Sequence, residues 1–484
     1  MRNIISKICY VITLALLSWA CTSDFDEMNT DPNKVTSAPY TALIANAQNS
    51  IARTYTRFGQ MDSWCRYHVR DVYVHDDQYA YDGASSGFGY YNGHLKNLQV
   101  ALEMAEVAED VNSQAIIKIL TAYAYQNITD WFGDIPYSEA LKADADPQIF
   151  YPKYDSQQSI YSDLIANLKE ANSLINTIAQ NPGNNDIFFH GDMMQWKRFC
   201  NSLLLRIYMR ISLVDPSTAQ SGIEEIVGNP TAYPIISSNE QNVFMSNWIP
   251  GDPNYKSPNW LNPNQYLTTE KVVSEAVIDF LTDRNDTRLQ VYAEPASTSG
   301  LYVGLPLGTL GQNTPDLSIL GIDEFQSEDS PSRLIRYSEI LFIIAEAAVN
   351  GWNVGMTTQQ AYEAAIEASF EEYGLTMPAS YLTDPLVDFT GATPQRELIG
   401  DQKWIAIFPI GTEGWAEVRR SGYPVYVDTT EPVGSLFPGK GTIKRLPYPH
   451  TEATDNPENY NAALAAQPGI IDEKFGAGVW WDVN

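Results

Sequence analysis

Apolar residues spaced at the helical period, each run opened by its own capping signal, constrain the fold of this chain more than any other feature. Asp155 with Gln158 has the layout of a capping box, followed on one stripe by Ile160, Leu164, Leu168, Ala171, Ile175 and Ile178. Asp192 with Gln195 repeats the signal before Phe199, Leu203, Leu204, Ile207 and Ile211, and Asp215-Pro216 is expected to end that helix. Ser330-Pro331 should open another, carrying Leu334, Tyr337, Leu341, Ile344 and Ala348. Thr357 with Gln360 opens the next, which ends near Gly374, and Thr393-Pro394 opens one that carries Gln402 and Ile405. Residues 95–108 and 115–131 form a consecutive pair. Helices that follow one another across short breaks predict a mainly α fold of tetratricopeptide-like hairpins, although the signature residues of that repeat do not occur.

Long stretches without periodicity separate these helices, at 59–93, 229–268, 293–330 and 421–484. Loops of that length either bind something or are disordered. Tyr and Trp crowd the first two of them, and aromatics make up 12% of the chain, which argues against disorder. No Pro/Ser/Gly linker and no charge run divides the chain. Residues 39–484 are therefore read as one domain, with loop-rich insertions forming its ligand-binding side.

The N-terminus reads as an address. Arg2 and Lys7 precede an apolar run from Ile8 to Ala20, too short to span a bilayer, so residues 1–20 have the layout of a secretory signal. Cys21 follows the small residue Ala20, as at a lipoprotein cleavage site, although Ser18 and Trp19 depart from the usual pattern there. Cys21 is thus the expected lipidation site, and the polar, acidic residues 21–38 the tether. A lipid-anchored location is expected, and the acidic cluster beside Cys21 resembles the surface-export signal of outer-membrane lipoproteins, which implies a surface-exposed place on that membrane. The formal net charge of −29 at pH 7 repels phosphate backbones, which excludes nucleic acid as a partner; neutral glycans, peptides and cations stay compatible. Cys65 and Cys200 are too few for a disulfide framework and read as buried thiols.

Catalytic chemistry finds no support. Pairs such as Asp134 with Glu139, or Glu371 with Glu372, are no better placed than chance among 59 acidic residues. The five His residues include no HExxH and no tight Cys/His grouping, and no G-x-S-x-G elbow or phosphate-binding Gly loop occurs. Asp76, Asp77 and Asp82 offer hard oxygens, but without the EF-hand spacing or its closing Glu, so a solvated acidic loop is the better reading. No catalytic residue, metal or cofactor is expected.

An ordered set of motifs resembles one family. It comprises Phe25-Asp26-Glu27-Met28-Asn29-Thr30-Asp31-Pro32-Asn33, Asp130-Trp131-Phe132-Gly133-Asp134-Ile135-Pro136-Tyr137, and Gly191-Asp192-Met193-Met194-Gln195-Trp196-Lys197-Arg198-Phe199. Asp283-Arg284-Asn285-Asp286-Thr287-Arg288-Leu289, Tyr337-Ser338-Glu339 and Arg445-Leu446-Pro447-Tyr448-Pro449 follow in order. Together they resemble the SusD/RagB outer-membrane lipoproteins, in their divergent SusD-like subgroup; Thr287 stands where that pattern usually has Pro. Most of these residues have a scaffold reading. Gly133 should cap a helix, Trp196 should pack, Arg206 and Arg210 should pair with acids of a neighbouring helix, and Glu339 and Glu346 should accept hydrogen bonds from loops.

The resemblance implies a binding protein rather than an enzyme. It implies nutrient oligosaccharides as ligands, a TonB-dependent, SusC-like β-barrel transporter as partner, and outer-membrane lipid around the anchor. Peptide binding of the RagB type, or a lid of the transporter with no tight ligand of its own, are the alternatives. It also directs attention to the loops at 59–93 and 229–268. There Trp64, Tyr67, Tyr73, Tyr79, Tyr81, Trp248 and Trp260 are the candidate stacking rings, with Arg70 and Asp71 as hydrogen-bonding neighbours. A sugar held by such rings should bind by stacking, with little response to salt.

Overall fold

The computed structural model describes residues 38–80, 88–253, 255–261, 271–467, 475 and 478–484. Cys21 and Tyr81 lie outside the described residues. Helix is the main regular structure. The first half holds α1 (Tyr40–Tyr55), α2 (Gln60–Trp64), α3 (Lys96–Val107), α4 (Val111–Phe132), α5 (Gln157–Leu174), α6 (Met193–Arg210) and α7 (Pro216–Gly228). The second holds α8 (Glu275–Asp283), α9 (Tyr337–Val349), α10 (Thr358–Glu371), α11 (Gln395–Ile407) and α12 (Gly411–Ser421). Consecutive helices pack on one another from α3 to α7 and from α9 to α12, the stacked-hairpin arrangement expected of the sequence. Contacts of α4 with α12 and of α6 with α9 join the halves. Because neighbours surround α4, nearly all its residues from Asn112 to Phe132 are buried, and it shows no polar face.

Strands are short and antiparallel: β1 (His68–Arg70) pairs with β5 (Lys271–Val273), β2 (Ile135–Pro136) with β3 (Tyr154–Asp155), and β4 (Val243–Met245) with β6 (Ser332–Ile335). Each ties a loop segment to one distant in sequence.

The helix signals fare unevenly. Asp192 caps α6, accepting from the N–H groups of Met194 at 2.9 Å and Gln195 at 3.1 Å. Thr357 and Gln360 form the reciprocal box that opens α10. At α5 the cap is Ser156, whose Oγ accepts from Ser159 N–H at 3.2 Å, while Asp155 sits in β3 and accepts from Ser138. That helix ends at Leu174, leaving Ile178 93% exposed. Asp215-Pro216 opens α7 rather than merely closing α6: Asp215 caps it and Pro216 takes its first position, where no N–H is needed. Ser330-Pro331 opens no helix. Leu334 belongs to β6, and α9 begins at Tyr337, because a short, fully buried apolar run suits a strand as well as a helix. Gly133 closes α4 at φ +80°, its N–H donating to Thr129 O at 2.8 Å. Cys65 and Cys200 are buried free thiols.

A buried ionic network runs through the join. The Arg206 guanidinium on α6 donates to both carboxylate oxygens of Glu339 on α9, each at 2.7 Å. Arg210 lies 2.5 Å from Glu413 and 3.3 Å from Glu417, both on α12, and 3.4 Å from Asp130 on α4. Glu417 meets Lys403 of α11 at 3.1 Å and also pairs with Arg420. Glu346 of α9 binds Lys403 at 2.8 Å and Arg420 at 2.5 Å. Arg206 and Arg210 therefore pair with acids as expected. Glu339 and Glu346 answer cations on other helices rather than loop donors. Trp196 is fully buried and donates from Nε1 to Asp186 at 2.7 Å.

Candidate functional site

Two adjoining cavities, of about 680 and 820 Å³, open where residues 255–261 fold over the C-terminal end of α1. They share Thr54, Arg57, Pro258 and Trp260. Local hydrogen bonds explain the shape. Asn259 donates from Nδ2 to Thr56 O and accepts from Phe58 N–H, both at 2.8 Å, which fastens the loop to the chain leaving α1. Arg53 donates to Lys256 O at 2.9 Å. On the far side, Ser257 N–H donates to Glu328 O at 2.8 Å and Leu261 N–H to Gln326 O at 3.1 Å.

The lining combines aromatic faces, amides and cations. Trp260 is partly exposed, and the Lys256 ammonium stands 3.0 Å from its ring centroid. Tyr255 is 50% exposed. Asn46, Asn49, Gln60, Asn259 and Gln326 supply amides that can meet hydroxyl groups. Arg53 lies in the last turn of α1 and Arg57 just past its C-terminal cap, Thr56. Arg70 and Lys271 face each other across the β1–β5 ladder. Lys271 donates to Phe58 O at 2.8 Å. Burial pushes its ammonium down to about 8; Arg70 and Arg57 push the same way, while Asp62 and Asp77 oppose them.

The candidate rings divide by burial. Trp64 packs edge-on against Trp415, with centroids 5.0 Å apart, and is 5% exposed. Tyr67 is enclosed against Trp404 and Phe408, its hydroxyl donating to Trp404 O at 2.6 Å. Tyr79 is buried against Phe475. These rings present no face to a ligand in this structure. Trp248 is buried too, but Arg53 lies over its ring at 5.1 Å, so it supports a side chain of the cleft from below. Asp71 is buried and accepts from the Thr314 hydroxyl, away from the cavity lining. Tyr73 is 68% exposed, at φ +55°, and does not line the cleft. Trp260 and Arg70 do. Arg53, Arg57, Lys256, Lys271 and Asn259 are the lining residues that loop composition did not single out.

Among the described residues, no group of His, Cys, Asp and Glu is arranged to hold a metal ion. Asp77 accepts from the Arg70 backbone N–H at 2.6 Å and Asp76 lies 3.8 Å from the Arg70 guanidinium, so one holds the loop's backbone and the other its side chain. No helix of the described residues is long and apolar enough to cross a membrane.

This fold defines a class of helical proteins with one loop-built face, and comparison with known proteins places the chain within it. A family model described as SusD-like, starch-binding and associating with the outer membrane, matches residues 32–449. The chain belongs to this SusD-like family. A SusD homologue from Bacteroides fragilis is 26% identical, with a TM-score of 0.76, over 92% of this chain and 99% of that one. A chitin-binding protein is 25% identical, with a TM-score of 0.77, over 92% and 100% of the two chains. A chitin-binding SusD homologue from Flavobacterium johnsoniae, 23% identical with a TM-score of 0.77 over 92% and 99%, shares the fold. Among curated protein sequences none matches.

Proposed function

We propose that this protein captures oligosaccharides at an outer-membrane surface, in the cleft around Trp260, and passes them to a TonB-dependent, SusC-like β-barrel. The role is capture without catalysis. The observation that carries the reading is the lining itself: a partly exposed indole and a half-exposed phenol beside five amides, in two adjoining open cavities. Aromatic faces cover the C–H face of a sugar ring while amides take its hydroxyls. The starch-binding description of the family and the chitin-binding structural relatives support the same ligand class.

Isothermal calorimetry with a panel of oligosaccharides tests it. Trp260→Ala should weaken binding by about 1–2 kcal/mol, as expected of an aromatic anchor, with the melting temperature unchanged. Wild-type affinity in both Trp260→Ala and Tyr255→Ala would place the site elsewhere.

Attachment to the membrane rests on Cys21 in this reading. A single acyl chain holds a protein only reversibly, so lipoprotein processing must add at least two. Cys21→Ala should appear in the soluble fraction and be lost from the outer membrane. Mass spectrometry finding the mature N-terminus elsewhere would remove the anchor from this residue.

A further inference from the structure

We propose that this protein carries a second ligand site, which takes a small zwitterion bearing both an ammonium and a carboxylate group. The site is a cavity of about 300 Å³ between α8, the segment around Leu305 and residues 426–430. It shares no lining residue with the cleft around Trp260. Its size is at the low end for small-molecule pockets, about 300–1,000 Å³, and suits one small molecule. Local contacts fix its walls. Glu275 N–H donates to Leu305 O at 3.0 Å, and Val433 N–H to Leu307 O at 2.8 Å. The Tyr426 hydroxyl donates to Ala276 O at 3.3 Å, which ties the residues after Pro424 to α8. Gly304 permits the close approach of the floor to α8, since a Cβ there would stand 2.4 Å from Glu275 Cα.

Arg66 supplies the positive wall. Its side chain lines the cavity at 9% exposure, on a backbone at φ +58°. Nη2 donates to Thr430 O, while Nε is buried without a partner. Among the described residues Arg66 makes no ion pair. Burial pulls the guanidinium down from its ordinary value, and Glu275 acts against that only from beyond ion-pair distance. A buried cation on a left-handed backbone is costly to the fold twice over, and such costs gather where a ligand offsets them.

The opposite wall is negative. Glu275, Asp279 and Asp283 follow at four-residue intervals on α8 and so form one stripe, which lines the cavity. All three are exposed, and among the described residues none forms a side-chain hydrogen bond or an ion pair. Burial, and after it the Asp283 charge, push the Asp279 carboxyl up. Arg284 also lines the cavity but is engaged elsewhere. It lies 3.7 Å from the Phe280 ring centroid, donates to Phe280 O at 3.1 Å and pairs with Asp401 of α11 at 3.9 Å.

The two signs together select the ligand. A metal ion needs its carboxylates gathered, whereas four residues of helix set successive members of the stripe about 6 Å apart. Among the described residues no group of acids is arranged for a metal. A plain anion meets the stripe, and a plain cation meets Arg66. A sugar prefers an open aromatic face, and that of Phe280 is covered by Arg284. A zwitterion answers both walls, its ammonium donating to the acidic stripe and its carboxylate accepting from the guanidinium.

NMR titration of the full mature protein tests this with L-alanine, γ-aminobutyrate and ε-aminocaproate, which differ in charge spacing, and with butylamine, butyrate and N-acetylglucosamine. At least one zwitterion should bind about tenfold more tightly than butylamine, butyrate or the sugar. Arg66→Gln should weaken that zwitterion about tenfold and let butylamine bind more tightly, because a repulsion is gone. Asp279→Asn with Glu275→Gln, both on the exposed face of α8, should also cost about tenfold with the melting temperature unchanged. This second variant carries the test should Arg66→Gln fail to fold. No zwitterion binding, or binding indifferent to the α8 substitutions, would overturn the proposal. So would N-acetylglucosamine binding as tightly as the best zwitterion. None of these results bears on oligosaccharide capture at Trp260, because the two sites share no residue.

Discussion

Arg210→Met should cost the fold about 3–5 kcal/mol, read as a drop in the denaturant midpoint. The guanidinium is 1% exposed and sits among Glu413, Glu417 and Asp130, carried by two different helices. Removing it leaves Asp130 and Glu413 without their nearest buried cation, while Glu417 keeps Lys403 and Arg420, and the penalty comes from that under-compensated charge rather than from the lost pair. Adding Glu413→Leu to Arg210→Met should therefore recover part of the loss, since a buried pair exchanged for apolar groups is often close to neutral. A single-variant loss under about 1 kcal/mol, the size typical of a surface pair, would show the network to be solvated.

The same network sets a pH response. Burial alone would raise the Glu417 carboxyl, but Arg420, Lys403 and Arg210 outweigh it and hold Glu417 well below the usual carboxylate range. A depressed carboxylate contributes stability that is present above its unfolded value, about 4.3, and is lost as pH falls toward its folded one. Asp130 goes the other way: burial dominates there and raises it, although Arg210 and the Tyr161 hydroxyl oppose the rise. A raised carboxyl takes up its proton in the fold first, so its contribution falls as pH rises through the usual carboxylate range. The two partly offset near pH 4–5, and below that range the Glu417 loss stands alone.

Much of the scaffold was legible because it depends on local chemistry. Asp192 and the Thr357–Gln360 box act within one helical turn, and the stripe through Leu203 and Leu204 follows from helical geometry, so sequence spacing suffices. Leu334 was misplaced because its strand is specified by pairing with residues 243–245, a partner far away in the chain. The site was harder for a related reason. Tyr67, Tyr79 and Trp260 look alike in a loop, and only tertiary packing decides which ring is enclosed. Tyr67 finds a carbonyl on α11 for its hydroxyl, whereas Trp260 lies over a groove. One sequence signal did point to the cleft: between Asp31 and Asp62 this acidic chain has no Asp or Glu, and that stretch carries Arg53 and Arg57. Aromatic counting passed over it.

Asp286→Ala should be comparably damaging, at about 3–5 kcal/mol. The Asp286-Thr287-Arg288 motif forms a fully buried pair, both side chains at 0% exposure. The Arg288 guanidinium donates to Asp286 from Nε at 3.1 Å and from Nη2 at 2.6 Å. Its remaining donors meet the Ser369 hydroxyl at 2.8 Å, the Tyr381 hydroxyl at 3.1 Å and the Gln402 side-chain oxygen at 3.2 Å. Those acceptors are neutral, so Asp286 is the only full counter-charge bonded to the guanidinium among the described residues. The Asp286 Oδ2 that accepts from Nη2 also accepts from the Tyr381 hydroxyl at 2.6 Å, which holds the residues after α10 to the turn before Leu289. Asp286→Ala removes the counter-charge and two acceptor oxygens at once, while Asp286→Asn keeps the shape and one acceptor and should cost distinctly less. Equal losses in the two variants would assign the effect to charge alone. A loss in Asp286→Ala no larger than that of a surface substitution, about 0.5 kcal/mol, would refute the structural role given to this motif.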